Sequence, residues 1–181
     1  MNWEIDFLNG IQNTLGCGFF DSFFKFFTYC GEAVCFVILA AVLLIPKRSR
    51  KTGMQITVAL ILGVLIGNLQ LKLLVARERP FTEEAALINE AMLLIKTPTD
   101  YSFPSGHTLA SFNAAICLFM NNKKWGVPAL LGASIISFSR MYLYVHYPTD
   151  IIGGLVLAII CSVSAFYIVK ALCSRFDFKI T

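Results

Sequence analysis

"SFPSGHTLAS", residues 102–111, opens an apolar run with a proline, a serine, a glycine and a histidine. The chain has only two histidines, and one of them stands here. The composition says what surrounds that run. Of 181 residues, 57% are hydrophobic and 14% charged, and the mean hydropathy is +0.70. A soluble domain carries about 25% charged residues. The solvent of this chain is therefore lipid, where an ionisable residue within a span is costly and points to function.

Apolar runs of about 20 residues cross the hydrocarbon core as helices. Five are expected, over 22–46, 54–75, 104–120, 126–145 and 149–171, with Pro104 starting the third. Residues 3–15 predict a short amphipathic helix in the interface, with Trp3, Phe7, Leu8 and Ile11 near helical spacing. Met1 to Gly16 holds Glu4 and Asp6 and no basic residue, so a cleaved leader is not expected. In "EEAALINEAMLLIK" (83–96), Leu87, Ala91, Leu94 and Ile95 share a face, as in a connector or a helix lying over a site. The expected fold class is all-α: a polytopic membrane helical bundle, residues 1–181 forming a single integral-membrane domain.

The loops orient the bundle. Lys47, Arg48, Arg50 and Lys51 follow the first span, Lys123 and Lys124 the third, and Arg175 and Lys179 the fifth. With five spans all lie on one side, which the positive-inside rule makes cytoplasmic. The connections 76–103 and 144–148 then face outward. No basic stripe interleaved with aromatics occurs, so nucleic acid is not an expected partner. None of the six cysteines forms a CxxC pair and most lie in apolar runs. They read as buried thiols rather than a disulfide framework or metal cluster.

At one depth, towards the outer side, three separate parts of the sequence converge. Lys72 is followed by Arg77, Glu78 and Arg79; Ser105 and His107 open the third span; Ser139, Arg140, His146 and Asp150 straddle the fourth and fifth. Singly these have plain explanations, such as snorkelling of Lys72 and Arg140 or Asp150 complementing a helix N-terminus. Together, three cations repel one another unless they share an anion. Arg79 and Arg140 offer planar forks that match phosphate, and Lys72 adds a point charge. Amides at 104–107 would meet the anion at a helix start, with Gly106 allowing close approach and Ser105 donating its hydroxyl. One imidazole can then attack phosphorus, and a carboxylate on its other nitrogen would hold the tautomer. His146 and Asp150, four apart across "HYPTD", fit that pairing, leaving His107 as general acid. This chemistry needs no metal and no cofactor. A divalent ion beside three cations would be unfavourable without a bound anion.

The pattern Lys72-x6-Arg79-Pro80, Pro104-Ser105-Gly106-His107, Ser139-Arg140-x5-His146-x3-Asp150 resembles the signature of the type 2 phosphatidic acid phosphatase superfamily. That superfamily also includes vanadium haloperoxidases and bacterial acid phosphatases. The resemblance covers residues 72–150 directly. It implies a helical phosphatase core, metal-independent hydrolysis and a covalent phosphohistidine. By motif position His146 resembles the nucleophile, Asp150 its partner and His107 the general acid. Lys72, Arg79, Ser105, Gly106 and Arg140 resemble the phosphate ligands. Arg77 is expected to face solvent or a headgroup, and Tyr142 and Tyr144 to belong to an aromatic belt. Size and the outer-face site are similar to the small bacterial members that dephosphorylate undecaprenyl diphosphate for cell-wall synthesis, which implies a bacterial plasma membrane. Phosphatidylglycerol phosphate and phosphatidic acid are alternative substrates. A lipid phosphotransferase and an anion-binding transporter are alternative activities.

Overall fold

Backbone amides in lipid have no water to bond, so a chain this apolar satisfies them within helices. The computed structural model describes residues 3–83 and 94–175, and no strand occurs among them. Helix α1 is Trp3–Leu15, α2 Gly18–Cys30 and α3 Ala33–Leu44. Helix α4, Arg50–Gly63, continues through a π-helical stretch, Val64–Leu71, into the single turn α5, Lys72–Val75. A second short turn, α6 (Pro80–Glu83), precedes α7 (Gly106–Asn121), α8 (Lys123–Tyr142) and α9 (Pro148–Arg175).

The bundle wears its apolar side chains outside. Along α9, Ile152, Val156, Ile159, Val163 and Tyr167 recur every three or four residues and are all exposed. Val34, Val37, Ile38 and Val42 do the same on α3. That is the surface of a protein in hydrocarbon. Polar residues turn inward instead. The buried Asn113 amide on α7 donates to Ala59 O on α4 at 3.0 Å, and Ser162 Oγ on α9 donates to Asn113 Oδ1 at 3.1 Å. Small residues let the helices approach, as at Ala40, Ala59, Ala114 and Ala165. At Gly126 on α8 an added Cβ would stand 2.1 Å from Phe119 Cα, so α7 and α8 meet backbone to backbone. Helix α7 packs on α3, α4, α8 and α9. Its N-terminus, with His107, therefore opens at the middle of the bundle.

Several expected boundaries shift. The first span, read over 22–46, is two helices bent by 51° at Gly31–Glu32. A Cβ at Gly31 would lie 2.5 Å from Ile136 Cγ2 and 2.9 Å from His107 Cδ2, so the break fits the chain against the end of α7. The stretches Arg50–Thr82 and Pro148–Arg175 are long and apolar enough to cross a membrane, and the bent pair makes a third if it counts as one span. Helix α7, with 16 residues, reaches only about 24 Å. Residues 3–15 form the expected helix, with Leu8 buried and Trp3 and Phe7 exposed. Most of the 83–96 segment lies outside the described residues; Leu94 and Ile95 pack beside Ile11, Phe24 and Tyr142. Of the six cysteines, all free, Cys117 and Cys161 are buried as expected, whereas Cys17 and Cys35 are exposed.

Candidate active site

Three chain reversals deliver the polar side chains. Helix α5 stops at Ala76, whose φ of 46° and ψ of 39° are left-handed, a conformation costing an L-residue about 1 kcal/mol. The turn sends Arg77 and Arg79 back towards the bundle. Ser105 caps α7, its Oγ accepting from the Thr108 hydroxyl at 3.2 Å. After α8, Tyr144 takes a φ of 59°, and His146 is carried inward before Pro148 starts α9 with Asp150 in its first turn. Arg140, near the end of α8, is held by a 2.5 Å bond to Thr28 Oγ1 on α2.

Lys72, Arg79, Gly106, His107, Arg140 and His146 line one cavity of about 590 Å³. Ser105 and Asp150, both fully buried, stand behind its wall. Arg79 Nη1 donates to Val145 O at 2.7 Å and lies 3.3 Å from His146 Nε2. A guanidinium has no acceptor, so Nε2 presents its lone pair and the ring proton sits on Nδ1. Nδ1 is 3.4 Å from Asp150 Oδ2 and 3.4 Å from Ser102 Oγ. Asp150 Oδ2 also accepts from Ser102 Oγ at 2.5 Å and from the Tyr147 amide at 2.9 Å. Burial and the cations Arg79, Arg140 and Lys72 push His146 well below the usual histidine range, so the imidazole is neutral. A neutral ring with an unprotonated nitrogen, once Arg79 turns its donor to an incoming anion, can attack an electron-poor centre.

Two of the three cations share an anion. It is the carboxylate of Asp100, which pairs with Lys72 and takes a 2.7 Å bond from Arg79 Nη2. Arg79 Nε adds a 2.7 Å bond to Asp100 O. Partial burial opposes ionisation of Asp100, but Lys72 and Arg79 outweigh it and hold the group at about 2. His107 Nε2 and Arg140 Nε find no hydrogen-bond partner among the described residues. The carboxylate of Glu32, at the α2–α3 break, stands 3.7 Å from His107 Nε2. Both unmatched groups border the cavity, ready for a ligand. Among the described residues, no group of three His, Cys, Asp or Glu is gathered that could hold a metal ion.

Some readings need correction. Arg77 does not simply face solvent. It bonds Asp150 Oδ1 at 2.9 Å, Thr149 Oγ1 at 2.6 Å and Glu4 Oε2 at 2.5 Å, and covers the Tyr147 ring at 3.8 Å. Tyr142 and Tyr144 are buried rather than belted, their hydroxyls donating to Asp21 at 2.6 Å and Asn9 at 3.0 Å. Gly106 is not demanded by protein packing, since a Cβ would meet only Asn68 Oδ1 at 3.6 Å; the space before it belongs to the cavity. Asp100, Ser102, Thr28, Glu4 and Glu32 escaped the sequence reading. Glu32, a charge inside an apolar run, carried a usable signal. The others are ordinary loop or helix residues until the fold brings them in.

Residues 52–173 match the PAP2 superfamily. The chain belongs to that superfamily. This PAP2 chain is 35% identical over 133 residues to an undecaprenyl-diphosphatase of Sulfolobus acidocaldarius, covering 73% of the chain and 62% of the relative. It is 33% identical over 141 residues to undecaprenyl-diphosphatase BcrC of Bacillus subtilis, covering 77% and 70%. The crystal structure of Aquifex aeolicus LpxE superposes with a TM-score of 0.78 at 26% identity, covering 92% of this chain and 96% of that one. The match thus spans about three fifths of the first relative's length. PAP2 membership bears out the family resemblance read from the sequence.

Proposed function

We propose that this PAP2 chain hydrolyses a lipid diphosphate, in the first instance undecaprenyl diphosphate, through a covalent phosphohistidine on His146. The observation that carries the reading is the unprotonated Nε2 of His146, accepting from Arg79 Nη1 at 3.3 Å on the wall of the cavity. The terminal phosphoryl group displaces Asp100 and binds Lys72, Arg79, Arg140 and the first amides of α7 at Gly106 and His107. Ser105 shapes that helix start from behind. Nε2 attacks phosphorus, the bond to the bridging oxygen breaks, and His107, which takes up a proton as the anionic substrate binds, protonates the departing lipid phosphate. Asp150, with Oδ2 3.4 Å from Nδ1, supports the cationic ring. His107 then takes a proton from water as that water attacks phosphorus; the N–P bond breaks and inorganic phosphate leaves. The donor set serves this route with neither metal nor cofactor.

The same cavity has apolar walls, among them Val37, Leu60, Val64 and Leu109, which suit a hydrocarbon chain entering from the bilayer. The names of the two sequence relatives support a polyprenyl diphosphate. We read residues 1–181 as one domain crossing a bacterial plasma membrane five times, its cavity on the extracytoplasmic side, opposite the basic loops at 47–51 and 123–124.

Phosphate release by purified protein in detergent with EDTA tests the reading. Undecaprenyl diphosphate, phosphatidylglycerol phosphate and phosphatidic acid are offered side by side, with His146→Ala as control. Release that survives EDTA, is fastest from the diphosphate and disappears in His146→Ala is expected. Ordinary turnover by His146→Ala removes the phosphohistidine, and loss with EDTA removes the metal-free route.

A further inference from the structure

Glu4 is a carboxylate on the inward face of an amphipathic helix and only 7% exposed. Burying such a charge is expensive unless it is paired and hydrogen-bonded. Here it is both. Oε2 takes the 2.5 Å bond from Arg77 Nη2, and Oε1 accepts from the Thr149 amide at 3.1 Å and the Thr149 hydroxyl at 2.7 Å. Arg77 passes the contact on, since its Nη1 bonds Asp150 Oδ1 at 2.9 Å. The Arg77 carbonyl also accepts from the Ser102 amide at 2.8 Å, and Ser102 Oγ holds Asp150 Oδ2. An unbroken path therefore runs from α1 to the carboxylate facing His146 Nδ1.

We propose that α1 is a working part of the active site, in which Glu4, through Arg77, positions Asp150 and sets how much negative charge it presents to His146. The two ends of Asp150 divide the work. Oδ1 is anchored by Arg77, leaving Oδ2 turned towards the imidazole. An unopposed guanidinium at Oδ1 would draw charge away from Oδ2 and weaken its support for a cationic ring. Glu4 offsets that pull. Neither Glu4 nor Arg77 lines the cavity, so both are positioning residues.

The test rests on His146 as nucleophile and uses the full chain in detergent with undecaprenyl diphosphate. Glu4→Gln and Arg77→Gln should each lower kcat about tenfold while KM stays within about twofold, because orientation is lost but binding is not. The acid limb of kcat/KM separates positioning from mere folding. Groups facing His146 are Lys72 on α5, Arg79 on the following turn, Asp100 on the connection, His107 on α7, Arg140 on α8 and Asp150 on α9. All are unchanged in these variants. Arg77→Gln removes a cation next to Asp150, so the limb should move to higher pH. Glu4→Gln removes an anion, so it should move to lower pH. Arg77→Lys keeps the charge without the fork and should hold the parental limb with kcat still reduced. Opposite displacements cannot come from a loosened fold. Unchanged kcat and limb in both glutamine variants, or equal losses with a common limb and a lowered melting point, overturn the proposal. Activity in His146→Ala would instead sink the phosphohistidine itself.

Discussion

His146 and Arg140 differ in kind although both are buried at the cavity wall. His146 is a ring whose reactive nitrogen is identified by its neighbour: Arg79 can only donate, so Nε2 must accept. Arg140 is a fork with one tine tied to Thr28 and Nε unmatched among the described residues. A lysine there would restore a charge but not the planar pair of donors that a phosphoryl group meets in flight. Arg140→Lys is expected to lower kcat/KM about a hundredfold. Steady-state phosphate release measures this, and unchanged kinetics would show that Arg140 does not hold the phosphoryl group. Lys72, Arg79, His107, Arg140, His146 and Asp150 were legible as a set because charge is so rare in this chain. Asp100 was not, because a carboxylate in a polar loop has no rarity to mark it.

The connection that carries Asp100 acts as an element with its own chemistry. It lays a carboxylate across Lys72 and Arg79, the two cations that the proposed function assigns to the phosphoryl group. With its carboxyl held at about 2, against about 3.9 for an unpaired aspartate, the bridge is complete above that ordinary value and is lost only as pH falls towards the depressed one. Competition with phosphate is therefore constant through the neutral range. Asp100→Asn is expected to tighten inhibition by inorganic phosphate several-fold and lower KM, by the same factor at pH 5 and pH 8. Inhibition constants at the two pH values decide it: no tightening means the carboxylate does not compete, and a factor that changes with pH assigns the effect to another group. Boundaries of the elements were legible to within a few residues for α7, α8 and α9, where Asn122 and Pro148 punctuate the apolar pattern. The bend between α2 and α3 was not, since the side chains packed against it are Ile136 and His107, more than a hundred and about seventy-five residues away in sequence.

For the molecule as a whole, the decisive fact is that large apolar side chains face out along the helices while buried polar bonds and small apolar residues join the helices within. Lys72, Arg79, Arg140 and both histidines gather at one cavity, and the proposed five-span topology puts the basic loops on the opposite side. In a background lacking the native cysteines, Lys124→Cys should react with a membrane-impermeant thiol reagent only after cells are opened. Thr99→Cys, at the cavity rim, should react in intact cells. Labelling of both from one side would remove the five-span topology.

By itself the sequence determined the solvent, the helical class, the set of charges that gathers at the cavity and the family resemblance, because each depends on composition or on spacing along the chain. Only the tertiary structure decided that Asp100 occupies the clamp, that Glu32 meets His107, and that α1 reaches Asp150 through Arg77. Those are meetings of residues distant in sequence, set by how the helices close on one another. Periodicity along a single chain carries no record of which two distant side chains will share a proton or a charge.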